Sequence, residues 1–244
     1  MNDTAIIIPC YNEEENIGPL LQEIKAHIGN VDIVVIDDGS RDTTSAEAGN
    51  EGAVVLQLAH NIGVGGAVQA GFIYCFDHGY RKVVRIDGDG QHPPAEIGKL
   101  ITTMERMDVD IVIGSRFLGD GHFKSTAIRY MGIKILASMM SIICRKKVTD
   151  PTSGFFVVSR KLMYYFSRRY PEDYPEPEAL ALLRRQGYDF HEIGVKFRPR
   201  LHGDSSIRKW GTFYYALKVG LALLVGRARP VDGRYARHAI QDDI

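Results

Sequence analysis

The sequence predicts an α/β protein built on one mostly parallel sheet with helices on both of its faces. Three observations carry that expectation. Short apolar runs rich in β-branched residues alternate with helical patterns through the first half of the 244-residue chain. Such alternation marks strand–helix–strand units, whose crossovers lay helices over the sheet. The runs are apolar at nearly every position, as strands buried on both faces require. Four of the five runs then end in polar or glycine-containing segments, and sheets of this kind bind ligands at the carboxyl ends of their strands.

Strands are expected at residues 5–8, 33–36, 54–58, 83–86 and 111–113, and helices at 13–28, 43–50, 64–78 and 94–107. The last of these helices opens on Pro93-Pro94 and Ala95-Glu96, with proline in the entry turn and a carboxylate near the N-terminus. Residues 127–144 read as an amphipathic helix rich in Met and Ile. The turn Asp150-Pro151-Thr152-Ser153-Gly154 leads into a strand at 155–159. A Pro-rich stretch at 170–177 precedes a helix at 178–186, and a strand at 190–198 follows. A final helix over 208–225 carries Trp210, Phe213, Tyr214, Leu217, Leu221 and Leu224 near helical spacing. No linker divides the chain, so one domain over 1–228 is expected, its two halves meeting near residue 118, with a disordered tail at 229–244.

Composition narrows the function classes. The chain is 45% hydrophobic and 25% charged with zero net charge, so no global field marks it as a nucleic-acid binder. Charge is uneven, however. Lys196, Arg198, Arg200, Arg208, Lys209, Lys218, Arg227 and Arg229 stand against a single acid, Asp204, which suits either a solvated face or an anionic partner such as phosphate or a lipid headgroup. Cys10, Cys75 and Cys144 are widely spaced, which fits a reducing cytosol better than a disulfide framework or a zinc site. The first residues lack the basic flank and cleavage site of a signal peptide, and no apolar run approaches the roughly 20 residues that span a bilayer. A soluble or peripheral protein is expected.

Asp87-Gly88-Asp89-Gly90-Gln91 follows the fourth strand. Two carboxylates one residue apart, with glycines allowing close backbone approach, can reach a hard cation such as Mg²⁺ or Mn²⁺ and clamp a diphosphate against it. The bland alternative is a surface turn, since Asp-Gly pairs are common there. After the second strand stands Asp37-Asp38-Gly39-Ser40, where Asp38 can accept the imide N–H of a uracil or the N–H groups of guanine. Asp42 is expected to cap the next helix. The first strand ends in Pro9-Cys10-Tyr11-Asn12-Glu13, where Pro9 and Tyr11 can line a base or ribose pocket and Glu13 can bind a ribose hydroxyl or begin the helix. The segment from His60 to Gly66 imitates a dinucleotide fingerprint but fails it, because Val68 stands where the third glycine belongs and the segment follows the third strand.

Taken together, Ile8 to Glu13, Val35 to Ser40, Asn61-Ile62-Gly63, Asp87 to Gln91, Gly114-Ser115-Arg116-Phe117, Asp150 to Phe155 and Arg200 to Ser205 resemble the family 2 glycosyltransferases of GT-A fold. The resemblance points to the branch of dolichol-phosphate mannose synthase and bacterial polyprenyl-phosphate glycosyltransferases. It implies a GT-A, Rossmann-like domain with a nucleotide-binding half at about 1–118 and an acceptor half at about 119–228. It implies inverting transfer of a sugar from a nucleoside diphosphate donor, a UDP-hexose or UDP-N-acetylhexosamine in preference to GDP-mannose. Asp38 would read the base; Asp87, Gly88 and Asp89 would hold the nucleotide and the Mg²⁺ or Mn²⁺, with Gln91 beside them. Arg116, Arg129 and Arg200, with Ser205, match positions expected to meet the acceptor phosphate or donor diphosphate, for which guanidinium forks are suited.

Two departures bear on the acceptor. The family's Arg-x-x-Gly-x-Ser-Lys reads Arg200 to Gly203 and then Asp204-Ser205-Ser206, without the lysine. In Tyr174-Pro175-Glu176-Pro177-Glu178, relatives that glycosylate hydroxyls carry an acid as base, a role open to Glu178 or Glu176 here; a helix start bearing acids explains the same residues equally well. The expected function is transfer to a polyprenyl phosphate in bacterial cell-surface glycan synthesis, at the inner face of the membrane. The alternatives are transfer to a saccharide hydroxyl with Glu178 as base, and a non-catalytic nucleotide-sugar-binding subunit. The helix at 209–225 could lie on a bilayer or dock on a small membrane-spanning partner.

Overall fold

A computed structural model describes residues 3–119, 127–199, 219–220 and 233–240, with the side chains of 127–129 and 239 left out. The strands are β1 (Thr4–Cys10), β2 (Asp32–Asp37), β3 (Val54–Gln57), β4 (Lys82–Arg85), β5 (Ile111–Ser115), β6 (Phe156–Ser159) and β7 (Phe190–Gly194). They form one sheet in the order β3-β2-β1-β4-β6-β5-β7. All neighbours pair in parallel except at β6, which runs antiparallel to both β4 and β5. The helices are α1 (Glu14–Ile28), α2 (Thr44–Asn50), α3 (Gly63–Asp77), α4 (Ile97–Met107), α5 (Ala127–Cys144), α6 (Arg160–Arg168) and α7 (Pro175–Arg185). A 3₁₀ turn, Pro94–Glu96, precedes α4.

In the inner strands the unbroken apolar runs are explained by burial on both faces; β3, expected to be buried, is instead an edge strand with Val54 exposed and Val55 and Leu56 half-buried. In β1, Ala5 and Ile7 join a core with α3, α5, α6 and α7, while Ile6 and Ile8 join a second core with α1, α2 and α4. Successive strand residues point to opposite faces, so both sets must be apolar. Burying each such side chain contributes roughly 1.5–3 kcal/mol. β4 breaks the rule once. Val84 and Ile86 lie in the second core and Val83 in the first, yet Arg85 occupies the next position on that first face and is 1% exposed.

The second half departs from the sequence reading in three places. α6 has no counterpart among the expected elements; Ser159 caps it by accepting the Leu162 N–H, and Leu162, Met163, Tyr165 and Phe166 are buried. The strand expected to reach residue 198 leaves the sheet after Gly194, and the Arg198 N–H is then bonded to the Gln91 carbonyl at 3.1 Å. Residues 233–240, expected within a disordered tail, pack on the core: Ala236 and Ile240 are buried, and Arg237 pairs with the buried Asp110 at 2.9 Å. Burial and a paired charge fix a terminus that polarity alone would leave loose. The helix expected at 208–225 lies outside the described residues apart from helical Val219 and Gly220. Among the described residues no helix is long and apolar enough to cross a membrane.

Candidate active site

The loops after β1, β2 and β4 meet the start of α3 around an open cavity of about 870 Å³. Backbone N–H groups and short polar side chains bind these loops together. Asn12 takes a left-handed φ of +55°, which Asn tolerates. It donates its N–H to Ser40 Oγ at 2.9 Å and accepts the Arg41 N–H at 2.9 Å. Gly39 has φ +72°, and a Cβ there would lie 2.9 Å from the Asn61 backbone nitrogen, so the close approach requires glycine. Asp42 accepts from the Glu14 N–H at 3.2 Å and the Thr44 N–H at 3.0 Å, capping α1 and α2 together. Glu14 answers by accepting the Thr43 N–H at 3.0 Å.

Asp38 is buried, and its carboxylate accepts the Ile62 and Gly63 N–H groups at 2.7 and 2.9 Å. It therefore holds the N-terminus of α3 against β2 while also lining the cavity. Glu13 donates its N–H to Thr44 Oγ1 at 2.8 Å and accepts from Asn16 Nδ2 at 2.6 Å. Pro9 and the 43%-exposed ring of Tyr11 complete this end of the cavity.

Asp87, Gly88 and Asp89 also line the cavity. A Cβ on Gly88 would lie 2.6 Å from Cys10 Sγ, so the turn sits directly on the end of β1. Asp89 accepts the Gln91 N–H at 3.0 Å, and Arg198 grips the same turn through the Gly90 carbonyl at 2.6 Å while pairing with Glu23. The Asp87 N–H donates to His92 Nδ1 at 2.9 Å. Burial holds the His92 pKa below its ordinary value, so the imidazole is neutral with its proton on Nε2, 3.7 Å from Asp87 Oδ2. Burial pushes the Asp87 carboxyl up, but the guanidinium of Arg85, with that of Arg116 adding to it, outweighs burial and holds the group below the usual carboxylate range. Asp87 is an anion at neutral pH, a hard oxygen donor with Asp89 beside it. Among the described residues no group of three or more His, Cys, Asp or Glu is placed to hold a metal ion, so what those residues offer a cation here is the two carboxylates. That set fits Mg²⁺ or Mn²⁺, which fill their other positions with water and phosphate oxygens.

Sequence reasoning missed Arg85. Its guanidinium bridges Asp87 Oδ1 at 3.0 Å and Glu176 Oε1 at 2.7 Å. Burial works against its charge, and the two carboxylates more than restore it. Gly154 leaves room for this pair, since a Cβ there would meet Asp87 Oδ2 at 2.9 Å and Arg85 Nη2 at 3.0 Å. The available signal was a charged residue at an inward position of a buried strand.

The structure thus gathers Pro9, Tyr11, Glu13, Asp38, Asp87, Gly88 and Asp89 around one cavity. Gln91, Arg116 and Glu178 are not among its lining residues, whereas Glu176 is. Arg116 is instead tied to the buried Asp150 through Nε at 2.7 Å and Nη2 at 2.6 Å, to Thr152 Oγ1 at 2.7 Å, and lies 5.3 Å from the Phe197 ring centroid. The Arg129 side chain, Arg200 and Ser205 lie outside the described residues.

Comparison with known proteins agrees with this geometry. The pattern of the family described as "Glycosyl transferase family 2" matches residues 5–166. The chain is 30% identical over 217 residues to a polyprenol monophosphomannose synthase of Mycolicibacterium smegmatis, covering 86% of this chain and 77% of that protein. It is 29% identical over 213 residues to an undecaprenyl-phosphate mannosyltransferase of Micrococcus luteus, covering 85% of this chain and 82% of that protein. Among solved structures, glucosyl-3-phosphoglycerate synthase from Mycobacterium tuberculosis, in complex with Mn²⁺, UDP and glucosyl-3-phosphoglycerate, superposes with a TM-score of 0.69. At 19% identity, over 92% of this chain and 79% of that one, the likeness speaks for a shared fold. The chain belongs to glycosyl transferase family 2, in the branch that contains the polyprenyl-phosphate mannosyltransferases, and it is a glycosyltransferase of GT-A fold.

Proposed function

We propose that the chain transfers a hexose or N-acetylhexosamine from a UDP-sugar to a polyprenyl phosphate, with inversion, using Mg²⁺ or Mn²⁺. The carrying observation is the cavity itself, lined by Tyr11 and Asp38 together with the carboxylates Asp87 and Asp89. Uracil lies against Tyr11 and within reach of Asp38, and the diphosphate passes over Asp87 and Asp89. Asp87 and Asp89 would hold the cation, which would supply charge neutralisation for the departing diphosphate. The Mn²⁺ and UDP of the similarly folded synthase support this reading, and the lipid phosphate acceptors in the names of the relatives support the acceptor.

An acceptor phosphate oxygen forms a bond to the anomeric carbon on the face opposite the diphosphate. The bond from that carbon to the diphosphate oxygen breaks, and its electron pair leaves with UDP. A phosphate is already an anion near neutral pH, so the step needs no general base. Catalysis then rests on positioning and charge stabilisation. Asp87, held as an anion by Arg85, and Asp89, fixed by the Gln91 N–H, keep the carboxylates in place before the donor arrives. Arg129, Arg200 and Ser205 are proposed to meet the acceptor phosphate. Transfer to a saccharide hydroxyl would need a carboxylate base at the sugar; Glu176 stands on the cavity wall, but its Oε1 is committed to Arg85.

The test uses purified protein, Mn²⁺ or Mg²⁺, labelled UDP-sugars and vesicles containing polyprenyl phosphate. Label is expected in the organic extract and absent with Asp89→Ala. Label on an added oligosaccharide and none on lipid would overturn the acceptor. UDP bound tightly with no turnover for any donor would favour a binding subunit.

A further inference from the structure

One wall of the cavity carries Glu176, from the first turn of α7, which reads Pro175-Glu176-Pro177-Glu178. A helix N-terminus attracts anions because its first N–H groups lack partners and the helix dipole adds to them. Here most of that capacity is missing. Pro175 and Pro177 have no N–H, and the Glu178 N–H is bonded to the Tyr174 carbonyl at 3.1 Å. In place of donors the wall presents the Glu176 carboxylate. Behind it, Arg85 divides its charge between Glu176 and Asp87. Arg85 is the one basic side chain among the described lining residues, and a guanidinium already facing two carboxylates has little attraction left for a third. The wall is also held in place. A Cβ on Gly65 would lie 2.3 Å from the Pro171 carbonyl oxygen and 2.8 Å from Glu172 Cα, so the chain entering α7 packs directly on the first turn of α3.

We infer that this wall selects donor sugars that carry no carboxylate and rejects hexuronic acids. The inference rests on the donor site proposed above: with the base at Tyr11 and the diphosphate at Asp87 and Asp89, the sugar extends toward Glu176. A neutral sugar offers hydroxyl donors to the Glu176 carboxylate. A hexuronate sets a second carboxylate against Glu176, whose cation Arg85 is already shared with Asp87, and like charges brought together out of water are costly.

Calorimetric titration of the full chain with UDP, UDP-glucose, UDP-N-acetylglucosamine and UDP-glucuronate in Mn²⁺ tests this. The neutral donors are expected to bind, and UDP-glucuronate to bind at least about tenfold more weakly, which corresponds to about 1.4 kcal/mol. Glu176→Gln is expected to bring the ratio of glucuronate to glucose Kd close to one, while Glu176→Asp preserves it. A purely structural Glu176 would weaken UDP and both sugars together and leave the ratio unchanged, which overturns the inference. Equal wild-type affinities for the two donors overturn it as well, with no variant needed, and leave the donor site standing. Absence of UDP binding in the wild type removes the donor site and this inference with it.

Discussion

Around the open cavity, Asp38, Asp42 and Asp89 are held by backbone N–H groups while Asp87 and Glu176 share Arg85; at the β5–β7 end, Asp150 and Asp189 are bound in ion pairs. Asp38 and Asp42 accept from the starts of three helices, and Asp89 from its own turn. Across the sheet, Asp150 binds Arg116 through two side-chain bonds, and Asp189 pairs with Lys146 at 2.9 Å and Arg184 at 2.7 Å. A carboxylate held by backbone N–H groups keeps its net charge, whereas one bound to an arginine or lysine shares it with that partner. The difference teaches that an arginine or aspartate at a strand end is not by itself a ligand-binding group. Which one it becomes depends on what the neighbouring element brings to it.

The largest expected effect tests the brace. Asp150→Ala leaves the mostly buried Arg116 without its partner, and breaking a buried pair in this way costs about 3–5 kcal/mol. Urea unfolding should show a loss of that size. A loss below about 1 kcal/mol would mean that Arg116 swings into solvent at little cost, and the contrast between the two ends would fail. Asp89→Ala tests the other end. Activity should fall about 10²–10³-fold, the scale on which loss of one transition-state-stabilising group acts, with little change in Tm. If Tm falls instead and the surviving folded fraction keeps its activity, the turn is scaffolding.

Asp38→Asn is expected to have an intermediate effect. An amide offers one acceptor oxygen where the carboxylate offers two, so one of the Ile62 and Gly63 N–H groups faces an NH₂. The unsatisfied donor costs about 1–3 kcal/mol, readable by urea unfolding, and UDP binding should weaken alongside as the start of α3 loosens. Unchanged stability with weaker UDP binding would make Asp38 a ligand contact alone.

This contrast also explains what could be read in the sequence. Asp87, Gly88 and Asp89 were legible because strand ends converge by topology, and the strands themselves are marked by local apolar runs. Gly88 carried its own signal, since two carboxylates flanking glycine imply close backbone approach. The reversed direction of β6 was not legible, because a short apolar strand looks the same in either direction. Arg85 and Glu176 are 91 residues apart, and no local pattern joins them. For Arg116 the family resemblance implied a phosphate contact, and nothing local to β5 foretold that Asp150 returns to bind its guanidinium. α6 escaped because its nine residues run on from β6 with Ser159 serving both elements.

The smallest expected effect sharpens the comparison through pH. In the first half, burial pushes Asp42 up, but hydrogen bonds from Thr44 and Glu14 outweigh it and hold its pKa below the ordinary 3.8. In the second half, burial prevails at Glu192, and the N–H bonds it receives from Asp150 and Thr149 only partly offset it, leaving its pKa above 4.5. The signs are opposite. Asp42 stabilises the fold at every pH above its unfolded value, and that contribution is lost as pH falls through the lowered pKa. Glu192 is charged at a cost at neutral pH, and the cost is relieved as pH falls through its raised pKa, fully so below about 4. Thermal unfolding of wild type, Asp42→Asn and Glu192→Gln between pH 7 and 3 separates them. The advantage of the wild type over Asp42→Asn should stay constant down to about pH 4 and then shrink. Relative to Glu192→Gln, the wild type should gain as the pH falls toward 4.5. Three parallel profiles would show that burial and hydrogen bonding balance alike at Asp42 and Glu192, and the opposite signs of their two shifts would then have no thermodynamic content.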